Sequence, residues 1–254
     1  MHPVTRNLRK LSSISTVQQS IPIYCKRHPP AHPAFLKTPK FQKNNQQIDR
    51  KIRVLVDMDG VIADFEKSLI QIYQNECPNL PVLPCYLRRG LFIDKQYDEY
   101  FFQDWPEAGE KLRTIMKREH FFKNLPPIPE AVNKIHCLLD NPGYDVSICT
   151  SPLTHNVFCT SEKLEWLDKF FGNRFHRKVI MTNDKTLVNA DFLLDDKEHI
   201  EGAIENPSFE HILVRQQHNQ HVTSSDKKNI LESWNGLDDL LENLISEKFG
   251  EKAV

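Results

Sequence analysis

Apolar and polar positions follow two periods along this chain. Ile52–Val56 is apolar almost throughout and rich in β-branched residues, the pattern of a strand buried on both faces. Similar short runs occupy 145–149, 178–181, 192–194 and, more weakly, 211–214. Between them apolar residues recur at helical spacing. They do so over 130–139, with Pro129 near its start, over 161–171, closed by Gly172, and over Leu237–Phe249 at the tail. Strands alternating with helices predict a parallel sheet with helical crossovers.

One interval breaks the alternation. Residues 65–125 are too many for a loop inside a compact domain. They hold helix-like stretches over 65–73 and 110–118 and several aromatic residues. The segment therefore reads as a helical cap inserted after the first strand. Residues 49–64 and 126–250 then make an α/β core, a Rossmann-like parallel sheet with helices on both faces. A cap over the mouth of a sheet excludes water and strengthens every charge beneath it.

Composition narrows the class. A chain of 254 residues buries a sizeable core, and a net charge of −1 gives no global basic field for a nucleic-acid polymer. No apolar run reaches the length of a membrane span. Six cysteines, at 25, 77, 85, 137, 149 and 159, show neither a C-x-x-C pair nor zinc spacing. They read as reduced thiols of an intracellular protein.

The charge is lopsided, however. No acid precedes Asp49, whereas Arg6, Arg9, Lys10, Lys26, Arg27, Lys37, Lys40 and Lys43 do. Val4, Leu8, Leu11 and Ile14 share a helical face that the early arginines avoid. Pro29, Pro30, Pro33 and Pro39 argue against a folded domain there. Residues 1–48 are thus expected to be a disordered basic targeting segment, directing the protein to the mitochondrial matrix or, failing that, to a plastid. A solvated basic tail on a cytoplasmic protein is the alternative.

The chemistry gathers at the strand ends. Asp57 and Asp59 close the first run, with Gly60 behind them; Thr150 and Ser151 follow the second, Lys185 the third, and Asp195 with Asp196 the fourth. Each has an ordinary reading as a turn, a cap or a solvated lysine. Together, in this order, they are the set that phosphoryl transfer needs. Two carboxylates at one strand end require a cation or a proton between them. One attacks phosphorus and the other shuttles a proton. Mg²⁺ takes a few oxygen ligands, and a hydroxyl with an ammonium neutralises the phosphoryl oxygens. His218 and His221 read as a turn packed on the core, since zinc wants three or four protein ligands. Cys149, beside Thr150 in a strand, points to the opposite face and reads as core.

The four stretches resemble the motifs of the haloacid dehalogenase superfamily. Residues 56–65, the Arg-Arg-Gly at 88–90, Ile-Cys-Thr-Ser-Pro at 148–152, Asp-Lys-Thr at 184–186, Leu-Asp-Asp at 194–196 and His-Asn-Gln-His at 218–221 resemble the 5′(3′)-deoxyribonucleotidase family, its mitochondrial branch above all. The resemblance implies Asp57 as nucleophile and Asp59 as general acid and then base. Thr150, Ser151 and Lys185 would hold the phosphoryl group. Mg²⁺ would rest on Asp57, the backbone carbonyl of Asp59, and the Asp195–Asp196 pair, Asp196 foremost. Phe65, Leu91, Phe92, Ile93, Met116 and Phe122 would line the nucleoside. Phe92 and Met116 stand where the family pattern has tryptophan, and Leu91 where it has phenylalanine. The implied activity is Mg²⁺-dependent hydrolysis of deoxyribonucleoside monophosphates with pyrimidine bases. The expected partner is a small nucleotide, with no membrane, no nucleic-acid polymer, and a homodimer as the assembly to test. The competing readings are a phosphatase acting on another small ester and a catalytically silent Mg²⁺-binding scaffold.

Overall fold

The computed structural model describes residues 50–250 except 85, 86, 90, 91, 102 and 155, together with the backbone of 42–43 and 46–47. The expected targeting helix near the start and Leu91 lie outside the described residues. Within the stretch read as a basic tail, β1 (Gln42–Lys43) and β2 (Gln46–Gln47) pair antiparallel.

Six further strands form one sheet: β3 (Ile52–Val56), β4 (Tyr144–Thr150), β5 (Val179–Met181), β6 (Phe192–Asp195), β7 (Glu210–Val214) and β8 (Ile230–Leu231). All pair parallel, in the order β5-β4-β3-β6-β7-β8. The chain builds outward from β3 through β4 to β5, then crosses back to lay β6 against the other side of β3. The strand order reverses beside β3, and open α/β sheets bind ligands at the carboxyl ends of the strands at such a point. Five strands fall where the apolar runs predict them. β8 is two residues long, too short to carry a period.

β3 sits in the middle because it can be buried on both faces: Ile52, Val54, Leu55 and Val56 are all inaccessible, and Arg53 alone is exposed. Asp191 accepts the Arg53 backbone N–H at 2.8 Å and a bidentate pair from Arg50 at 2.6 and 2.7 Å, which fixes the strand's entry.

Among the described residues six α-helices accompany the sheet: α1 (Phe65–Glu76), α2 (Ile93–Phe101), α3 (Ala108–Met116), α4 (Pro129–Asp140), α5 (Cys159–Phe171) and α6 (Leu237–Phe249). Pro129 occupies the first turn of α4, where its missing N–H costs nothing. Gly172, at φ +60°, ends α5. α2 escapes the sequence pattern because its buried side is only Ile93, Gln96 and Tyr97, with a polar residue in the middle of the stripe.

The larger core joins Ile52, Val54 and Val56 to buried residues of all six helices, Leu69, Tyr97, Leu112, Ile135, Trp166 and Leu241 among them. The opposite face carries a smaller cluster of Leu55, Cys149, Ala190, Leu193 and Phe209, so its cover comes from connecting segments. Cys149 packs in that cluster as expected, buried as core. Three helices, α1 to α3, fill the interval between β3 and α4.

Candidate active site

The first strand ends in a tight reversal. Asp57 N–H still donates to Leu194 O at 2.9 Å, so the β3–β6 ladder reaches the first carboxylate. The Met58 carbonyl then accepts from the N–H groups of Ile62 and Ala63, both at 2.9 Å. Gly60 turns the corner at φ +75°, in the left-handed region where a side chain is strained. A Cβ at residue 60 would also lie 2.0 Å from Asp196 Oδ2. The missing side chain is what lets the β6 carboxylate come in beside the β3 turn.

Lys185 arrives from the other side. Asp184 caps its 3-10 turn, accepting from Thr186 N–H at 3.0 Å and Ala203 N–H at 2.8 Å. The turn aims the Lys185 ammonium inward, 2.9 Å from Asp57 Oδ1 and 2.5 Å from Asp195 Oδ2. Burial opposes the charge on all three groups. The two carboxylates nonetheless hold Lys185 above its ordinary range, and Lys185, Lys163 and Lys197 together bring Asp57 below its own. Asp57 is thus ionised and buried. Asp195 is raised, chiefly by burial, and its Oδ1 accepts the Lys197 N–H at 3.0 Å.

Asp59 has a different neighbour. Its Oδ2 lies 2.8 Å from the ammonium of Lys163 on α5, a residue that the sequence reading passed over. Lys163 is 1 % exposed and donates to Thr150 Oγ1 and to the Ser151 carbonyl, each at 2.8 Å. Burial raises the Asp59 carboxyl even so. One carboxylate held ionised beside another held high is the division of labour of a nucleophile and a proton donor. The signal for Lys163 was present: with Cys159, Glu162, Trp166 and Phe170 it falls at helical spacing on the apolar stripe of α5, where a charged residue needs a partner inside.

Oxygens of Asp57, Asp195 and Asp196 lie within 4.8 Å of one another, and all three residues are buried. Asp196 Oδ1 accepts no hydrogen bond, and burial pushes that carboxyl up to about 8. Asp57 Oδ1 has the Lys185 ammonium 2.9 Å away as its charged neighbour. Buried carboxylate oxygens grouped this closely, one of them without a donor, are what a hard divalent cation satisfies, so the donor set fits a divalent metal ion. The Asp59 carboxylate stands outside this group, facing Lys163. His218 Nε2 and the Asn219 amide hold the Asp196 carbonyl at 3.0 and 2.9 Å, so this histidine packs against the cluster's backbone. His221 pairs with Glu198 at 3.1 Å. Ser151 Oγ donates to the Thr182 carbonyl at 3.0 Å, linking the ends of β4 and β5.

The expected nucleoside wall is brought together in part. Phe65 contacts Phe121 edge-on at 5.6 Å and stacks on Phe122 at 6.2 Å. Phe122 is buried, with Lys163 Nζ 5.4 Å from its ring centre, so it borders the site directly. Ile93 and Met116 are buried in the main core. Phe92 is 58 % exposed, its ring covered by Lys95 Nζ at 4.3 Å. The start of α1 is tied to the site by charge as well. Arg88, buried, donates two bonds of 2.9 Å to Glu66, and Glu66 faces His218 Nδ1 at 3.7 Å.

Comparison with known proteins bears on this cluster. Residues 50–249 match the family described as "5′ nucleotidase, deoxy (Pyrimidine), cytosolic type C protein". The mitochondrial 5′(3′)-deoxyribonucleotidase of Homo sapiens is 39% identical over 185 residues, which are 73% of this chain and 79% of that protein. The cytosolic-type 5′(3′)-deoxyribonucleotidase of Homo sapiens is also 39% identical over 185 residues, covering 90% of that protein. Among solved structures, a haloacid dehalogenase-like family hydrolase from Streptococcus pneumoniae is similar with a TM-score of 0.52 at 12% identity, over 75% of this chain and 98% of that one. That likeness concerns the fold.

Proposed function

Because the chain belongs to the 5′ nucleotidase, deoxy (pyrimidine), cytosolic type C family and is a phosphoric monoester hydrolase, we propose that its substrates are pyrimidine deoxyribonucleoside monophosphates such as dUMP and dTMP. The observation that carries this reading is the contrast between the two carboxylates at the end of β3. Asp57 is buried and ionised against Lys185, while Asp59 is held high beside Lys163.

In the proposed reaction an Asp57 oxygen attacks phosphorus and the bond from phosphorus to the ester oxygen breaks. Asp59 gives its proton to the departing nucleoside oxygen. The Asp59 carboxylate then takes a proton from water, whose oxygen attacks the aspartyl phosphate and frees inorganic phosphate and Asp57. Thr150, Ser151 and Lys185 hold the phosphoryl oxygens. Asp57, Asp195, Asp196 and the Asp59 carbonyl would hold Mg²⁺, which supplies positive charge where the phosphoryl oxygens become more negative. Lys163 keeps Asp59 and Thr150 in register. Residues 65–125 act as the cap, and Phe65 with Phe122 gives the nucleoside an apolar face.

A panel of dUMP, dTMP, UMP and small sugar phosphates, assayed with Mg²⁺ and after chelation, tests the reading. Turnover that survives chelation removes the metal, and equal efficiency on every ester removes the nucleotide. For location, the acid-free basic start supports import into the mitochondrial matrix. A reporter carrying residues 1–48 that stays in the cytosol would sink that part.

A further inference from the structure

Next to Lys163 on α5 stands Glu162, a buried carboxylate 3 % exposed and untouched by the chemistry described above. Both oxygens turn away from the aspartates toward the turn that follows α3. Oε2 accepts the N–H groups of Phe122 at 2.9 Å and Lys123 at 3.4 Å. Oε1 accepts that of His120. His120 is at φ +72°, the one non-glycine residue with positive φ among those described. Such a backbone persists only where its surroundings hold it.

The turn supports itself poorly. Its own bonds, Phe121 N–H to Arg118 O, Asn124 N–H to His120 O and Leu125 N–H to Phe122 O, are 3.3–3.4 Å long. Behind it lies a cleft of about 320 Å³ bordered by Ser68, Ile72, Arg118, His120 and Phe121, while Phe121 and Phe122 pack into the main core. The charge-assisted bonds to Glu162 are the stronger restraint. The Trp166 indole adds a neutral hydrogen bond of 2.8 Å to the Leu125 carbonyl, from the same helix face.

We propose that Glu162 is a positioning residue for substrate selectivity: it holds the 120–123 turn so that Phe121 and Phe122 meet Phe65 and form the nucleoside wall. One helical turn thus holds both halves of the site, Lys163 the acids and Glu162 the wall. This rests on the reading of Phe65 and Phe122 as that wall.

Glu162→Gln tests it, because the amide is nearly isosteric yet sets a donor against a backbone N–H. For dUMP, kcat/KM should fall roughly tenfold, mostly through KM, while β-glycerophosphate, which has no base to stack, changes by less than about threefold. Hydrogen exchange over residues 118–125 should quicken in the same protein. A variant that keeps the wild-type preference for dUMP over β-glycerophosphate overturns the role of Glu162 and leaves the nucleotide reading intact. A wild-type enzyme without that preference overturns the nucleotide reading instead. If the variant does not fold, exchange in the wild type decides: protection of His120 and Phe122 amides is expected, and its absence removes the proposal.

Discussion

The ammonium of Lys163 stands 2.8 Å from Asp59 Oδ2 and 2.8 Å from Thr150 Oγ1, so one buried cation from α5 ties the turn after β3 to the end of β4. Its replacement has a signature that separates structure from chemistry. Lys163→Met leaves the Asp59 carboxylate without its counter-ion and should destabilise the fold by about 3 kcal/mol. Adding Asp59→Asn should recover most of that loss while turnover stays absent. Chemical denaturation of the three variants completes the cycle. Additive losses in the double variant would show that the two groups do not act as a pair.

Asp57→Asn is expected to fold and to be inactive. The amide keeps the shape, relieves crowding with Asp195 and Asp196, and cannot attack phosphorus. Lys185 retains Asp195 at 2.5 Å, so the fold should persist although the Asp57–Lys185 pair is lost. Residual kcat above about a tenth of wild type, a barrier change of only about 1.4 kcal/mol, would falsify the assignment of the nucleophile.

Glu66 sets an acid limit on stability. Burial opposes its charge, but hydrogen bonds from Arg88 and His218 outweigh it and hold the carboxyl down at about 2, below its ordinary 4.5. The folded form therefore sheds this proton more readily than the unfolded chain. Its contribution is complete above pH 4.5 and is lost as pH falls through about 2. The stability gap between wild type and Glu66→Gln should be widest near neutral pH and close over that interval. A gap that stays constant down to pH 2 contradicts the pairing.

Discrimination between deoxyribose and ribose should depend on Phe122. An added 2′-hydroxyl pressed against an apolar wall loses water and gains no partner, costing about 1–3 kcal/mol, or roughly tenfold and more in kcat/KM between dUMP and UMP. Phe122→Ala should narrow that ratio by admitting water. Equal efficiency for both nucleotides in the wild type is the outcome that ends the deoxyribose reading.

Much of this was legible because strands announce themselves by apolar runs and end in chemistry. Asp57, Lys185, Asp195 and Asp196 each close or follow a run long enough to read; the structure pairs Lys185 with Asp57 and Asp195 and brings oxygens of the three acids within 4.8 Å of one another. What escaped were residues whose partners lie in another part of the fold. Glu162 and Lys163 sit inside a helix that reads as ordinary amphipathic sequence until their positions on its buried stripe are counted. The Arg88–Glu66 pair joins the segment between α1 and α2 back to α1 and leaves no periodic trace. α2 was missed for the same reason: Gln96 interrupts its apolar side, and its side chain accepts the Arg89 N–H at 2.8 Å.

Gly60 carries a consequence for how such a chain can change over generations. The space its Cβ would fill is already taken by the Asp196 carboxylate, 2.0 Å away. Residues 60 and 196 lie in distant parts of the chain, yet each is the boundary of the other. Neither can drift alone: a side chain at 60 evicts the acid, and a longer acid at 196 presses on the turn that aims Asp57. Among homologous sequences the two positions should therefore vary as a single inherited unit, and a survey of such pairs would reveal whether any lineage has found another way to share that space.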